Sequence, residues 1–431
     1  MAELPMGWIG PRAGAPVAGR FLRFMATHLR GGTLVVIDDA GTHRFGAGLP
    51  EVTMVIHDRS VYWSTLCEGS VGLGRDFADG LWDCDDLTML TRVLSRGLRP
   101  VTALQDRVGQ AVGASTDWLR RLRPPSKHVD RNNIRAHYDL SNEFFALMLD
   151  ETMMYSSALF AEPGMDLAAA QRAKLDRLCS KLGLGPEDHV VEIGTGWGGF
   201  ACHAAATYGC RVTTTTISDA QFRYASKRVV EEGLADRVTV LNRDYRDLEG
   251  TYDKLVSIEM IEAVDWRQHD TFFATCAALL HDRGLMALQA ITMDDRSFER
   301  AKNGTDFVRE YIFPGGCIPS IGAITHSIAR ATPLVVVDVE DIGRHYAETL
   351  RRWDEQIARH ADAVTALGLD TRFQRLWHFY LCFCEGAFLE RHISDVQMVM
   401  AMPDWQAPLS VRDSFAPDAS AGDGSARVHV P

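Results

Sequence analysis

The sequence lacks long apolar stretches. No uninterrupted apolar run in its 431 residues approaches the roughly 18 residues that a membrane-spanning helix needs. The N-terminal segment also lacks the basic region followed by an apolar run that marks a signal peptide. The nine cysteines are scattered, and only Cys382 and Cys384 lie close together, a spacing that fits neither a CxxC metal site nor a disulfide framework. We therefore expect a cytoplasmic protein with reduced thiols and no bound metal.

An excess of positive charge is also lacking. The 45 Lys and Arg residues face 57 Asp and Glu residues, a net charge of −12, which argues against nucleic acid as a partner. Residues 92–135 depart from this balance, with ten basic and three acidic residues (10 − 3 = +7) interleaved with apolar ones. A basic amphipathic segment suits an anionic membrane surface and predicts peripheral binding at the inner face of the membrane. A linker with a solvated basic face explains the pattern equally well.

The length predicts two or three domains. Residues 1–20 and 413–431 show little periodicity and are predicted to be disordered. Residues 21–123 predict a small mixed α/β domain, with a helix at 21–30, β-rich runs over 32–64 and a helical pattern over 72–98. We expect this domain to aid membrane contact or self-association, which leaves a homo-oligomer possible. Residues 124–412, beginning with a linker at 124–133, form the predicted catalytic domain.

Strands and helices alternate after residue 170. Strand-like segments cover 189–194, 211–218, 237–242, 252–260 and 284–292, and helical patterns separate them. This spacing predicts a doubly wound, mostly parallel sheet. The first strand leads into Glu192-Ile193-Gly194-Thr195-Gly196, where glycines allow the backbone to approach a ligand closely. Dinucleotide enzymes use a related turn, but Glu192 directly before the glycines favours S-adenosylmethionine.

Three further blocks are specific to one family. Residues 133–145 read NIRAHYDLSNEFF and residues 149–160 read LDETMMYSSALF; YIFPGG at 311–316 precedes Pro319-Ser320, and HYAETL covers 345–350. Together they resemble the cyclopropane-fatty-acid synthases and mycolic acid cyclopropane synthases over roughly residues 130–400. The resemblance implies a class I methyltransferase fold, a Rossmann-like seven-stranded sheet. It also implies a helical cap from about 130–175 and 295–390 over an acyl tunnel.

The resemblance also implies a set of residues that bind S-adenosylmethionine. Tyr155 and Ser156 would contact the methionine part of the cofactor beside Gly194 and Gly196. Thr216, Ser218 and Gln221, in and after the second strand, would flank the ribose. Asp244 and Tyr245, after the third strand, would lie near the adenine. Each polar residue among them could instead be an ordinary turn or cap residue.

The implied catalytic site holds a bicarbonate ion as a base. Glu262 matches the family's active-site acid and Tyr346 its active-site tyrosine, and with the backbone at Ile291 they would surround the ion. The sulfonium methyl is attacked by the cis double bond of an unsaturated phospholipid acyl chain. Loss of a proton from the new methyl group then closes a cyclopropane ring, which is the reaction we expect.

Three departures from the family pattern bear on this product. Two of the implied catalytic residues differ from the family: Ser157 stands at a cysteine position, and Gln289 stands at a histidine position that ligates bicarbonate in the family. Ala263 stands at a further histidine position. Hydroxyl and amide groups can donate hydrogen bonds, but neither takes up a proton at neutral pH as histidine does. Methylation without ring closure, which gives a methylene- or methyl-branched chain, is therefore the alternative. The remote alternative is a small-molecule methyltransferase or a non-catalytic lipid-binding protein.

Overall fold

The computed structural model describes residues 29–96 and 140–406, together with residues 16, 18–20, 22, 24, 26 and 27. Residues 16, 18–20, 22, 24 and 26 are helical, so the helix predicted at 21–30 begins earlier. The disorder predicted at 1–20 is wrong for residues 16 and 18–20, which are helical. The rest of that segment up to residue 15, the predicted disorder at 413–431, the linker at 124–133 and most of the basic segment lie outside the described residues. Within the described residues, no helix combines the length and the apolar character that a membrane crossing requires.

Residues 32–84 form a four-stranded sheet with two helices. The strands β1 (Gly32–Asp38), β2 (Gly41–Ala47), β3 (Glu51–Ile56) and β4 (Trp82–Cys84) lie in the order β2-β1-β3-β4. Strands β1 and β3 are parallel, and the other two pairs are antiparallel. Helices α1 (Ser60–Glu68) and α2 (Ser70–Ala78) connect β3 to β4, and residues 87–96 are also helical.

Two sequence predictions for this region were wrong in detail. The β-rich run predicted to reach residue 64 ends at Ile56, because Asp58 accepts a hydrogen bond from the Ser60 backbone N–H and starts α1. The helix predicted over 72–98 is interrupted by β4. Gly80 takes a positive φ of 73° there, a conformation that ends a helix and turns the chain.

The second sheet has seven strands and carries the site. Its strands are β5 (His189–Ile193), β6 (Arg211–Thr216), β7 (Val238–Asn242), β8 (Tyr252–Ile258), β9 (Leu280–Met293), β10 (Val335–Asp341) and β11 (Ile393–Ala401). They lie in the order β10-β11-β9-β8-β5-β6-β7. Strands β5 to β9 are parallel to one another, and β11 runs antiparallel to both β9 and β10. The predicted Rossmann-like methyltransferase sheet is confirmed.

Helices flank this sheet and build the cap. Those between the parallel strands are α5 (Gly199–Tyr208), α6 (Asp219–Glu231) and α7 (His269–Ala278), and α3 (Asn142–Met148) and α4 (Leu167–Leu182) precede the sheet. After β9 come α8 (Asp295–Ala301), α9 (Phe307–Tyr311), α10 (Ile321–Ala331), α11 (Gly343–Arg359), α12 (Ala361–Ala366) and α13 (Thr371–Leu389). The first parallel strand begins after α4, which ends in a left-handed Gly183, a common helix terminator.

The N-terminal region and the cap share one hydrophobic core. Phe77 and Trp82 pack against Phe379 of α13, with ring centroids 5.8 and 6.2 Å apart. Gly74 lies so close to Phe307 that a Cβ there would be 2.3 Å from the ring. The contact therefore requires glycine at this position of α2.

Ion pairs reinforce the same boundary. Arg92 and Arg96 both donate to Glu390 at the end of α13, at 2.8 and 2.7 Å. These two arginines belong to the basic segment that was predicted to face a membrane. Both arginines thus bond to one carboxylate in the protein, and the rest of the segment, residues 97–135, lies outside the described residues.

Candidate active site

The glycine-rich turn lies at the carboxyl end of β5. Gly194 and Gly196 have positive φ values of 105° and 53°, which L-residues with side chains rarely adopt. A Cβ at Gly196 would meet no atom within 4 Å, so that position faces open space. Trp197 donates from Nε1 to Asn142 of α3 at 2.9 Å, which joins the turn to the HYDLSN block. The turn forms one wall of a pocket over the parallel strands.

Nine of the ten predicted cofactor residues line this one pocket. They are Tyr155, Ser156, Glu192, Gly194, Gly196, Thr216, Gln221, Asp244 and Tyr245. They come from the segment before α4 and from the ends of β5, β6 and β7. The carboxyl ends of parallel strands are where doubly wound sheets bind nucleotide ligands. The pocket therefore fits S-adenosylmethionine in position and in the polar groups it offers.

Ser218 is the exception. Its side chain accepts a hydrogen bond from the Gln221 backbone N–H and caps α6, and it does not line the pocket. This is the cap role that the sequence left open for such residues. Ser218 thus acts on the pocket through Gln221, whose Oε1 accepts from the Thr216 hydroxyl at 2.9 Å.

Glu192 is buried at the end of β5. Its carboxylate accepts a hydrogen bond from the Thr214 hydroxyl at 2.6 Å. Burial raises the pKa of Glu192 to about 8, because a charged carboxylate loses its hydration there. A protonated Glu192 offers a hydrogen-bond donor as well as acceptors to a ligand in the pocket.

A partly buried carboxylate in the wall of the pocket, Glu259, was missed at the sequence level. The Glu259 side chain accepts three hydrogen bonds, from the Ser157 backbone N–H at 2.8 Å, Gln289 Nε2 at 2.8 Å and the Tyr346 hydroxyl at 2.7 Å. Ser157, Gln289 and Tyr346 are all predicted catalytic residues, and the structure brings them together on Glu259. The Ser157 hydroxyl itself turns away and donates to the Ala158 carbonyl, so Ser157 contributes its backbone.

Backbone geometry marks Glu259 as unusual. It follows β8 directly and has a φ of 48°, in the left-handed region that favours glycine. Holding another residue there costs of the order of 1 kcal/mol, and such strain clusters at functional sites. The available signal was the first acid of the segment EMIEAV (residues 259–264). It stands three residues before Glu262, at the carboxyl end of a parallel strand, where catalytic residues gather.

Glu262 lies beside this group but has different partners. Its Oε1 accepts from the Ile291 backbone N–H, so two of the three groups expected around one ion bond directly to each other. Its Oε2 has no hydrogen-bond partner within the described part of the chain. The YIFPGG block fixes the backbone here, since the Cys317 N–H donates to the Glu262 carbonyl at 2.7 Å. Tyr346, the third group expected around the ion, bonds instead to Glu259.

Four ionisable groups share this buried region with Tyr346. Burial and the charge of Glu259 raise the pKa of Glu262 to about 8. Burial and the same charge raise the pKa of Asp395 well above its usual range. Burial also raises the pKa of Glu259, and the charge of Lys174 and the three hydrogen bonds that Glu259 accepts limit this rise. Of these acids, Glu259 accepts three hydrogen bonds, so its ionised form is the one that the surrounding donors stabilise most.

Lys174 is the buried cation of this region. Burial lowers its pKa to about 8, while the surrounding acids act in the opposite direction. Its Nζ donates to the Ser156 hydroxyl at 2.6 Å. Ser156 lines the cofactor pocket, so this lysine connects the cofactor side of the site to the acids.

Aromatic rings surround Tyr155 between the pocket and the cap. Its ring centroid lies 5.2 Å from that of Trp353 and 6.2 Å from that of Phe313. The Tyr155 hydroxyl lies 3.1 Å from that of Tyr380. Aromatic faces stabilise a nearby cation, so this cluster suits a reaction in which positive charge develops on an apolar chain.

Residues 125–398 match the family described as mycolic acid cyclopropane synthetase. The chain belongs to this family. It is an S-adenosylmethionine-dependent fatty-acid methyltransferase, as the sequence blocks predicted. The solved structure of a mycolic acid cyclopropane synthase with S-adenosylhomocysteine and CTAB is 30% identical, with a TM-score of 0.59. That similarity covers 65% of this chain and 99% of that chain.

Two relatives span most of this methyltransferase. The tuberculostearic acid methyltransferase of Mycobacterium tuberculosis is 37% identical over 93% of this chain and 94% of its own length. The cyclopropane-fatty-acyl-phospholipid synthase of Escherichia coli is 36% identical over 78% of this chain and 84% of its own length. The methyltransferase and the cyclopropane synthase are thus nearly equally identical to this chain, and the similarity to the methyltransferase covers more of the chain.

Asp354, His378 and Cys382 of this methyltransferase lie close enough to hold a metal ion. They stand on α11 and α13, and none of them lines the cofactor pocket. His378 Nδ1 pairs with Asp354 at 2.7 Å. Burial raises the pKa of the Cys382 thiol, and metals bind the thiolate form. A carboxylate–imidazole pair accounts for the cluster.

Proposed function

We propose that this enzyme transfers a methyl group from S-adenosylmethionine to the cis double bond of an unsaturated phospholipid acyl chain, without closing a ring. The observation that carries the chemistry is a cofactor pocket whose wall includes a partly buried carboxylate, Glu259, next to an aromatic cluster. An alkene attacks the sulfonium methyl and leaves a carbocation. The aromatic faces and the carboxylate favour that cation.

The product depends on which carbon atom loses the proton, and at which stage. Ring closure requires removal of a proton from the new methyl group while the cation is on the neighbouring carbon. If a hydride first shifts to that carbon, or if a chain carbon loses the proton, the product is an olefin. The C–H electron pair then forms the double bond, and S-adenosylhomocysteine and one proton are released. Each product carries one additional CH2.

Two observations support the olefin over the ring. Gln289 stands where the resemblance places histidine, and its amide donates to Glu259 and to Asp395, at 2.8 and 3.0 Å. The groups that set the position of the base therefore differ from those expected for ring closure. The tuberculostearic acid methyltransferase is also similar over 93% of the chain, against 78% for the cyclopropane-fatty-acyl-phospholipid synthase. Ring closure, the main expectation from the sequence, has the weaker support.

Hydrogenation of the product tests this proposal. The purified protein is incubated with S-adenosylmethionine and vesicles that contain cis-monounsaturated phospholipid, and the acyl chains are analysed by mass spectrometry. A one-carbon gain is expected, and mild hydrogenation should add two hydrogens to the product. A one-carbon product that resists hydrogenation is a cyclopropane and would overturn the proposed product. Absence of any one-carbon gain would overturn the proposed substrate.

We further propose that the enzyme works in the cytoplasm at the anionic inner face of the membrane. The support is the basic character of residues 97–135, which carry eight basic and three acidic residues (8 − 3 = +5). Reversing Arg120, Arg121 and Arg123 to Glu should weaken sedimentation with anionic vesicles and leave cofactor binding unchanged. Equal sedimentation of variant and parent would remove this role from the segment.

A further inference from the structure

We infer that the Glu259 carboxylate is the resident base of this enzyme and replaces the bicarbonate ion that the family resemblance implies. The inference rests on the proposed function, because it names the group that takes the proton in that reaction. It concerns a residue to which the sequence resemblance gave no role.

The hydrogen-bond donors decide whether bicarbonate fits. Tyr346 and Gln289 occupy positions at which the resemblance implies bicarbonate ligands, and both already donate to Glu259, at 2.7 and 2.8 Å. The Ser157 backbone N–H donates to the same carboxylate at 2.8 Å. A carboxylate and a bicarbonate are both planar anions with two acceptor oxygens, so one excludes the other from the same donors. A second anion next to Glu259 would also be desolvated and repelled. The residues present therefore do not fit bicarbonate.

The backbone delivers the carboxylate to the reacting centre. Glu259 follows the last residue of β8 and lines the cofactor pocket with its neighbour Met260. Its positive φ of 48° is held by a bond from its own N–H to the Gln289 carbonyl at 2.8 Å. Gln289 is fixed in turn, since Gln397 Nε2 donates to its Oε1 at 3.1 Å. A base tied to two strands in this way has a defined position.

The surrounding charges suit a proton acceptor. Lys174 is fully buried and stabilises the ionised carboxylate. Tyr346, with its pKa raised by burial, stays neutral and donates its hydroxyl proton to the hydrogen bond. In the reaction the S–CH3 bond breaks as the C–C bond forms. A C–H bond of the cation then breaks, its electron pair forms the new double bond, and the proton moves to a Glu259 oxygen.

Removal of dissolved bicarbonate tests the inference directly. In buffer freed of carbon dioxide, the full-length protein with S-adenosylmethionine and cis-monounsaturated phospholipid vesicles should remain as active as in bicarbonate buffer. Activity that requires added bicarbonate would overturn the inference. If the lipid product forms only with bicarbonate, the proposed function stands and this inference falls. If no lipid product forms under either condition, the proposed function itself fails.

Two substitutions of Glu259 give opposite expectations. Glu259→Gly removes the carboxylate, frees the three donors and suits the positive φ. We expect a loss of at least about 100-fold without bicarbonate, the scale of general base catalysis, and recovery on adding it. Glu259→Gln loses a similar amount and is not rescued, because its amide still fills the position. Full activity of Glu259→Gln, or equal rescue of both variants or of neither, would contradict the inference.

Arg391→Gly is the matched control. Arg391 also has a positive φ, 55°, and pairs with Asp341 away from the pocket. The control therefore reproduces the backbone change without touching the carboxylate, and its activity should match the parent with or without bicarbonate. Thermal unfolding and calorimetric affinity for S-adenosylmethionine show that each Glu259 variant is folded. Parent-like affinity with lost activity is the expected pattern.

Discussion

Replacing Tyr346 by Phe removes one hydroxyl that donates to Glu259 Oε2 at 2.7 Å. The ring should keep its place, because it stacks on Phe388 with centroids 4.5 Å apart and meets Trp353 edge-on. A hydrogen bond to a charged group is worth about 1.5–3 kcal/mol. At about 1.4 kcal/mol for each factor of ten, kcat should fall about 10- to 150-fold.

The pH profile separates this electrostatic role from a structural one. The Tyr346 hydroxyl lowers the pKa of Glu259, so its removal should move the acid limb of kcat to higher pH. The matched control is Tyr252→Phe, which removes a hydroxyl bonded to the Glu249 carbonyl at 3.3 Å at the opposite end of β8. That variant should keep the parent's kcat. An unchanged rate and acid limb in Tyr346→Phe, measured by product formation across pH, would refute the reasoning.

Three further substitutions test other parts of the site. Gly196→Val forces a β-branched residue to a φ of 53° and places its side chain in the pocket. Calorimetry should therefore show that the folded variant has lost its affinity for S-adenosylmethionine. Unchanged affinity would contradict the assignment of this pocket to the cofactor. Burial raises the pKa of Glu262 from about 4.5 to about 8; the native state then holds more protons, and the free energy of unfolding falls as pH rises between these values. Urea titrations should show a shallower fall in Glu262→Gln, and an identical fall would remove Glu262 as the cause. Gln289→His changes a group bonded to Glu259 and should alter the ratio of ring to olefin product. Ser157→Cys should leave that ratio unchanged, because the Ser157 side chain points away from Glu259. An unchanged ratio in Gln289→His would show that Gln289 does not select the product.

Local patterns were sufficient to predict the five parallel strands of the second sheet. Continuous apolar segments such as HVVEIG predicted buried parallel strands, and the observed β5 and β8 lie within two residues of the predicted limits. The blocks shared with the family then indicated the strand ends on which the cofactor pocket is built. Strand β10 was not assigned from its pattern: Val335, Val337 and Val339 are exposed, and the residues that alternate with them, Val336, Asp338 and Glu340, are only partly buried. Such an edge strand reverses the usual alternation.

The arrangement of the acids could not be predicted from the sequence. A motif match aligns Glu262 with the family acid, and the structure does place Glu262 against Ile291. The path of the chain after β8 determines which acid accepts the hydrogen bond from the Tyr346 hydroxyl. That path turns on a positive φ at Glu259, where a glutamate is unexpected. The bond from Gln289 to Asp395 of β11 joins residues 106 positions apart, a pairing that only the sheet order creates.

The new carbon itself reports the product most directly. S-Adenosylmethionine labelled with ¹³C in its methyl group is incubated with the protein and cis-monounsaturated phospholipid vesicles, and the extracted lipid is examined by carbon NMR. We predict that the labelled carbon appears as an olefinic methylene or as a methyl group on a double bond. A labelled signal confined to the high-field cyclopropane region would contradict methylation without ring closure.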